Sequence, residues 1–552
     1  MLATQAVPAN YFPFPCATVP LSPEARQALL PARLGPAWRR AECLGVVIDR
    51  LDLSCLARLY RCRGSLPFAP VLLLRLALFC IADGLASPAQ WAEMANRDGP
   101  TRWLLGGSEP SVSVCYAFRD RLSESCLLEL NRQVLALAQA DGLSPANRAA
   151  IGGTLQEASA SRHRLVNQPR LEQGLHLLQE PAALTAAVAD GLSQPVASAA
   201  TSQPADQNAD GCSTQPVQSP VPATIEPATI EPAAKPRSRR AARPGRTKAG
   251  RARQRQRWED AQQQLQKKQA RNQNKRASKR SDPGKIVVSP SDPQAAIGLD
   301  KRGVFRPLYN AQLVADLDSH LILGYDVVAQ PNDNGVLGRM LDRTEELLGH
   351  QLELALVDGA YVGGQDLSEA ENRGVQILGP IAAEPKGKQL PKSAFVYDAP
   401  LDEYVCPEGK RMACVGTSKQ KRSSVELVVL GQYRCTPGVC QECPRRQECC
   451  PKSKQGRSIS RSEHEGSVER LKERMSREEN KQKYKRRAAT VERLFGDGKE
   501  NRGMQRVQGR GLKNARIQLA LNVLQHNLLV LARAAETLKR DKGDPPLQQQ
   551  FT

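Results

Sequence analysis

The feature that most constrains this chain is a stretch it cannot fold. Residues 181-236 are dominated by Ala, Pro, Ser, Thr and Gln and include the tandem repeat ATIEP-ATIEP. Such a tract buries too little apolar surface to offset the entropy of ordering it, so a disordered linker is expected there. Arg and Lys then crowd the chain up to Arg280. Any core must therefore be assembled from the segments on either side. Most of the formal net charge of +21 sits in this basic arm. A cationic surface of that size binds a polyanion by releasing its counterions, which makes nucleic acid the first candidate partner. Arg239, Arg240 and Arg243 are expected to grip phosphates without reading bases; a solvated, self-repelling tether is the plainer alternative.

Before the linker the pattern is helical. Leu127, Leu130, Val134 and Leu137 form one apolar stripe with Ser123 or Ser125 as its cap, and Pro67, Pro70 and Pro88 divide the region into short helices. The apolar run Val71 to Ala82 contains Arg75 and falls short of the ~20 residues of a bilayer span, so it reads as a buried core helix. The first fifteen residues show no basic-then-apolar export signal, and the expectation is a cytoplasmic protein with no membrane partner. The fifteen cysteines suit reduced thiols plus one metal site better than a disulfide framework.

After the arm the period changes. Tyr309 to Ala329 reads as two strands joined at Asp316-Leu317-Asp318-Ser319, then comes a helix, then the apolar run LELALV ending in Asp358-Gly359. Chemistry collects at strand ends in α/β sheets, so Asp358 is a candidate ligand or acid; capping the next helix or shaping a turn is the competing role. An earlier stretch, IGGTLQEASASRHRL (residues 151-165), has the form of a strand ending at a site edge, yet no carboxylate stands at Gly152-Gly153-Thr154.

Two further clusters carry chemistry. Cys440-Gln-Glu-Cys443-Pro, with Cys406 in a Cys-Pro-Glu-Gly turn and Cys449 downstream, has zinc-knuckle spacing; Cys406, Cys440, Cys443 and Cys449 are the chosen ligands for a structural Zn²⁺, against free buried thiols or a redox pair. From Glu469 to Asn501 a basic helical stretch sets Tyr484, Arg487, Glu492 and Lys499 around an apolar face of Val491, Leu494 and Phe495. An acid among so many cations suits a phosphodiester or metal ion, although a Glu paired with Arg on a helix surface is the commoner arrangement.

Taken together, SPAQWAEMANRDGPTRWLLGG, GGTLQEASASRHR, FRPLYNAQLVAD, LVDGAYVGG, YVCPEGK with CQECP, and KRRAATVERLFGDGKENRG resemble the bacterial insertion-sequence transposases of the DDE class. The resemblance implies an α/β, ribonuclease-H-like mixed-sheet core, two divalent ions (Mg²⁺ or Mn²⁺) and cut-and-join chemistry at element ends. It places the second acid on Asp358 and the Glu on Glu492, both as metal ligands, with Tyr484, Arg487 and Lys499 against DNA. The first acid falls on Gly152. Two ions need bridging carboxylates, and a glycine offers no oxygen, so weak or absent catalysis is expected. Glu157 lies an odd number of residues along the strand and faces the other side, and Asp316 and Asp318 belong to the hairpin turn. The implied organisation is a helical N-terminal domain (1-145), a first core strand region (146-180), linker and arm (181-285), the core (286-400), a cysteine-rich insertion (401-460) and C-terminal core helices carrying Glu492 (461-540). The expected partner is double-stranded DNA, met as a homo-oligomer; the alternative is a catalytically dead DNA-binding protein derived from a transposase.

Overall fold

β1 (Arg148–Glu157) runs through the centre of the main sheet, and its residues Ala149, Ala150 and Ile151 are buried on both faces, as a central strand requires. The computed structural model describes residues 16–31, 35–60, 66–179, 247–275, 277–382, 384, 389–421 and 427–541. β2 (Ala296–Leu299) and β4 (Ile322–Val328) both pair antiparallel with β3 (Phe305–Asp316), which itself pairs antiparallel with β1. On the other side, β5 (Leu354–Leu356) lies parallel to β1, and β6 (Gln376–Leu378) parallel to β5. Parallel neighbours need crossovers. They are the helices Leu337–Leu348, closed by Gly349 in the left-handed region at φ 79°, and Gly364–Asn372. At the β3–β4 turn the Asp316 carboxylate accepts from the Ser319 amide at 2.7 Å and its hydroxyl at 2.6 Å, so this buried acid is committed to shaping the turn.

Two cores flank the sheet. On one face Ala149, Ile151, Val314 and Leu323 pack with the helices Pro36–Ile48, Pro70–Ala82 and Glu124–Ala140 and with the long helix Leu512–Asp541. All thirteen residues of Pro70–Ala82 are buried. Its Arg75, together with Arg26, pairs with Asp49, which is how a charge stands inside an apolar helix. The N-terminal helices therefore share one core with the sheet rather than enclosing a core of their own. On the other face Ala150, Leu313 and Leu356 meet Val491, Phe495, Leu519 and Val523.

The basic arm is not a free tether. Lys248–Gln273 is one helix, with eight Lys or Arg against two acids, and it docks on the helix Gln168–Gln179. Ala261 and Leu265 are buried with Leu171, Leu175 and Val288. The Trp258 ring lies so close to Gly174 that any Cβ there would overlap it. Burial pushes the Lys268 amine down to about 8, and it donates to the Val287 carbonyl at 3.1 Å. The docking sets aside the plainer alternative of a solvated tether for these residues; in so polar a helix only the buried stripe, anchored by one tryptophan, betrays it. The linker 181-236 and Arg239, Arg240 and Arg243 lie outside the described residues.

The cysteine-rich region forms a second, antiparallel sheet, in the order β11 (Ser458–Ser462), β10 (Leu427–Arg434), β9 (Arg411–Lys421), β8 (Glu403–Val405), β7 (Val396–Asp398). No helix among the described residues is long and apolar enough to cross a membrane.

Candidate active site

The site begins with strand register. Ala150 of β1 lies beside Leu356 of β5 in parallel pairing. Two residues further along each chain, on the same face by strand alternation, stand Gly152 and Asp358. That face looks at the Glu492 helix. A Cβ on Gly152 would lie 3.2 Å from Val491 Cγ1 and 3.3 Å from Phe495 Cε2. Gly153 faces the opposite way, where a Cβ would overlap Asp333 Oδ1 and Gln312 Nε2.

Glu492 is delivered by a helix with an irregular turn. Glu478–Arg487 passes through the π-turn Ala488–Glu492 into Arg493–Asn501. In a regular α-helix, residues five apart point about 140° away from each other. A π-turn winds i onto i+5 and so returns them to one face. Arg487 and Glu492 are such a pair. Arg487 Nη1 donates to Glu492 Oε1 at 3.3 Å, and Nη2 to Asp358 Oδ2 at 3.4 Å. The two candidate acids thus share one guanidinium. The Arg487 side chain is only 12 % exposed, whereas Glu492 is 62 % and Asp358 37 % exposed, so the cation lies beneath acids that face solvent. Asp358 Oδ1 also accepts from the Ala360 amide at 2.9 Å, so this residue shapes its turn as well.

The other expected residues gather nearby. Tyr484 is half-buried; burial raises its hydroxyl pKa, which Arg487 lowers and the charges of Asp358 and Glu492 raise further. Lys499 follows Glu492 by seven residues, almost two full turns, and so shares its helix face. Its amine is pushed down by burial and by the like charge of Lys301.

Among the described residues, no nearby acid takes the place of Gly152. Glu157 pairs with Arg306. Asp318 is held by Arg148 at 2.8 Å and Arg486 at 2.9 Å. Behind Gly153, Asp333 Oδ1 accepts from Gln312 at 2.6 Å and Asn310 at 2.7 Å, and the buried Tyr361 hydroxyl donates to Gln312. This network escaped the sequence reading, although Asn310 and Gln312 inside an otherwise apolar strand are its signal. The residues present do not fit a two-ion centre. They supply two carboxylates already bridged by an internal cation, and the first-acid position is closed by Val491 and Phe495. Among the described residues, no three His, Cys, Asp or Glu side chains stand in an arrangement that would hold a metal.

The cysteines converge without forming a closed cage. Cys406, Cys440, Cys443 and Cys449 line one cavity together with Cys435 and Cys450. Burial pushes the Cys435 thiol up to about 12, with Cys440 and Cys406 as sulfur partners. Burial likewise raises Cys449, to about 11, beside Cys450. Cys435 was not among the expected ligands. It enters because β10 ends there, a tertiary closure that cysteine spacing does not reveal.

Residues 405–532 match the family model described as a transposase DDE domain. That span holds the second sheet from the end of β8 onward, Tyr484, Arg487, Glu492, Lys499 and most of the last helix; β1 and Asp358 lie before it. The match supports a DDE-class transposase and, with it, DNA as the partner. Comparison with curated proteins finds no match, nor does comparison with solved structures.

Proposed function

We propose that this chain is an insertion-sequence transposase of the DDE class, acting on double-stranded DNA as a homo-oligomer in the cytoplasm through a ribonuclease-H-like core. The observation that carries the reading is the meeting of Asp358 and Glu492 on Arg487, two acids from distant parts of the chain at the end of parallel strands. The sheet order, with the antiparallel strands β1 to β4 continued by the parallel β5 and β6, supports the core assignment. Tyr484, Arg487 and Lys499 would line the path of a DNA strand past the acids.

A second reading, a DNA-binding protein that has lost cleavage, is favoured by Gly152 and by the guanidinium between the acids. Cleavage of duplexes carrying the element's own flanking DNA, by the parent and by Asp358→Ala, separates the two. Cutting that Asp358→Ala abolishes supports the first; binding without cutting supports the second. Absence of duplex binding would sink both.

Although no three thiols of the cysteine-rich sheet stand as a ready ligand set among the described residues, six of them line one cavity, and we propose that Cys406, Cys440, Cys443 and Cys449, with Cys435 as a further donor, close on one structural Zn²⁺. Protein purified without chelator should carry about one zinc per chain, coupled to local folding. Metal analysis finding none removes the proposal.

A further inference from the structure

Among the described residues, only two large apolar side chains of the main sheet are exposed: Leu299, at 60 %, and Phe305, at 50 %. They form a directly opposed pair where β2 turns into β3, so the two side chains stand together on one face. A lone exposed leucine is ordinary, whereas an adjoining pair held out from a fixed turn needs a reason.

One carboxylate fixes the turn between them. Asp300 Oδ1 accepts from the Arg302 and Val304 amides, each at 2.8 Å, and the Asp300 amide donates to the Val304 carbonyl at 3.0 Å. Gly303 supplies the left-handed bend at φ 72°. Arg306 Nε meets Asp300 Oδ2 at 2.9 Å, and the same guanidinium pairs with Glu157. Lys301 and Arg302 at the apex are exposed, and neither forms an ion pair among the described residues. Asp300, whose charge also reaches Arg302, is already matched by Arg306. Three cations therefore face two acids around the tip.

Register sets the side on which the pair lies. Gly152 stands opposite Leu313, and Phe305 precedes Leu313 by eight residues on β3, an even interval, so Leu299 and Phe305 share the face of Gly152. Over that face the chain carrying Glu492 runs toward the tip: Val491 covers Gly152, and the Met504 carbonyl accepts from Gln156 at 2.8 Å, further along β1. Eight residues of strand span roughly 26 Å, about eight base-pair steps of a duplex.

We infer that the β2–β3 tip is a second contact for duplex DNA, with Lys301 and Arg302 on phosphates and Leu299 and Phe305 packed into the groove beside them. This rests on DNA being the partner, as proposed above. Apolar side chains flanked by cations are a means of wedging a minor groove while its backbone is held. A duplex laid along the strands from the acid pair would meet the tip about eight base pairs away.

Fluorescence anisotropy of a labelled duplex against the full chain, over a range of NaCl, separates the two halves of this contact. Lys301→Gln with Arg302→Gln should weaken binding and make the slope of log affinity against log salt shallower by about 1.8, at about 0.9 per phosphate. Leu299→Ser with Phe305→Ser should weaken binding at least about ten-fold and leave the slope unchanged. Val396→Ser, at an exposed apolar position of the second sheet, should match the parent. p-Benzoylphenylalanine in place of Phe305 should crosslink to the duplex on illumination, and in place of Val396 should not. Thermal midpoints should not fall, since all four side chains are exposed. A parent that binds duplex while the apolar double variant keeps its affinity, or an absence of crosslinking from position 305, overturns the contact alone. A parent that binds no duplex overturns the DNA reading and the contact with it. A fall in thermal midpoint matching the loss of binding overturns the contact, and so does an apolar double variant that changes oligomeric size in light scattering while binding DNA as before, because the pair would then join copies of the chain.

Discussion

Gly152→Asp is expected to raise Mg²⁺- or Mn²⁺-dependent nicking of element-end DNA by about 100-fold or more. A missing metal ligand costs about two or more factors of ten, each about 1.36 kcal/mol of transition-state stabilisation. The new carboxylate would stand beside Asp358 and face Glu492, the side on which a third acid is lacking. Two obstacles are visible in the fold. The Cβ would press on Val491 and Phe495 at 3.2 to 3.3 Å, so Gly152→Asp combined with Val491→Ala should gain more than Gly152→Asp alone. Arg487 must also yield part of its hold on the acids. An ion drawn in by three carboxylates has the charge to compete with one guanidinium. Gly152→Asp with Asp358→Ala should return to the parent level. Activity surviving in that pair would remove Asp358 from the site, and strong cleavage by the parent would mean that another residue already serves.

Gly153→Asp should behave in the opposite manner, losing several kcal/mol of stability and gaining no cleavage. The added side chain would overlap Asp333 and Gln312 and set a second carboxylate against the first in a half-buried network. Overpacking alone typically costs about 1–3 kcal/mol, and an uncompensated charge adds to it. Thermal or urea unfolding measures the loss. Gly153→Ala should already be destabilised, because the overlap starts at Cβ. A Gly153→Asp protein as stable as the parent, or one that gains nicking, would show that the two glycines have been given the wrong faces.

What could be read in advance divides along physical lines. The buried helix around Arg75 and the turn at Asp316 were legible because local composition determines both. The neighbourhood of Asp358 and Glu492 came from resemblance, and five residues is the wrong interval to bring Arg487 and Glu492 to one face of a regular α-helix. The π-turn resolves that mismatch, and one surplus residue in a sequence carries no mark of where the winding will absorb it. Docking of the arm hid for a different reason: Trp258 and Gly174 are far apart in sequence and lie in segments that are otherwise polar. Cys435 and the Asp333 network share that origin, since both exist only once strands have paired.

The last long helix, Leu512–Asp541, packs into both cores of the main sheet, and Asn131 of the N-terminal helices reaches its Ala520 carbonyl across 389 residues. During synthesis the ribosome releases the N-terminal helices long before their partner exists. Their apolar faces must wait, through the linker, the arm and the cysteine-rich sheet, for the final segment to emerge. Such long-range closure is slow and leaves apolar surface exposed meanwhile. Neither core can be completed by a chain broken off before that helix, so an interrupted copy of the gene would yield aggregating or degraded polypeptide rather than a smaller working protein.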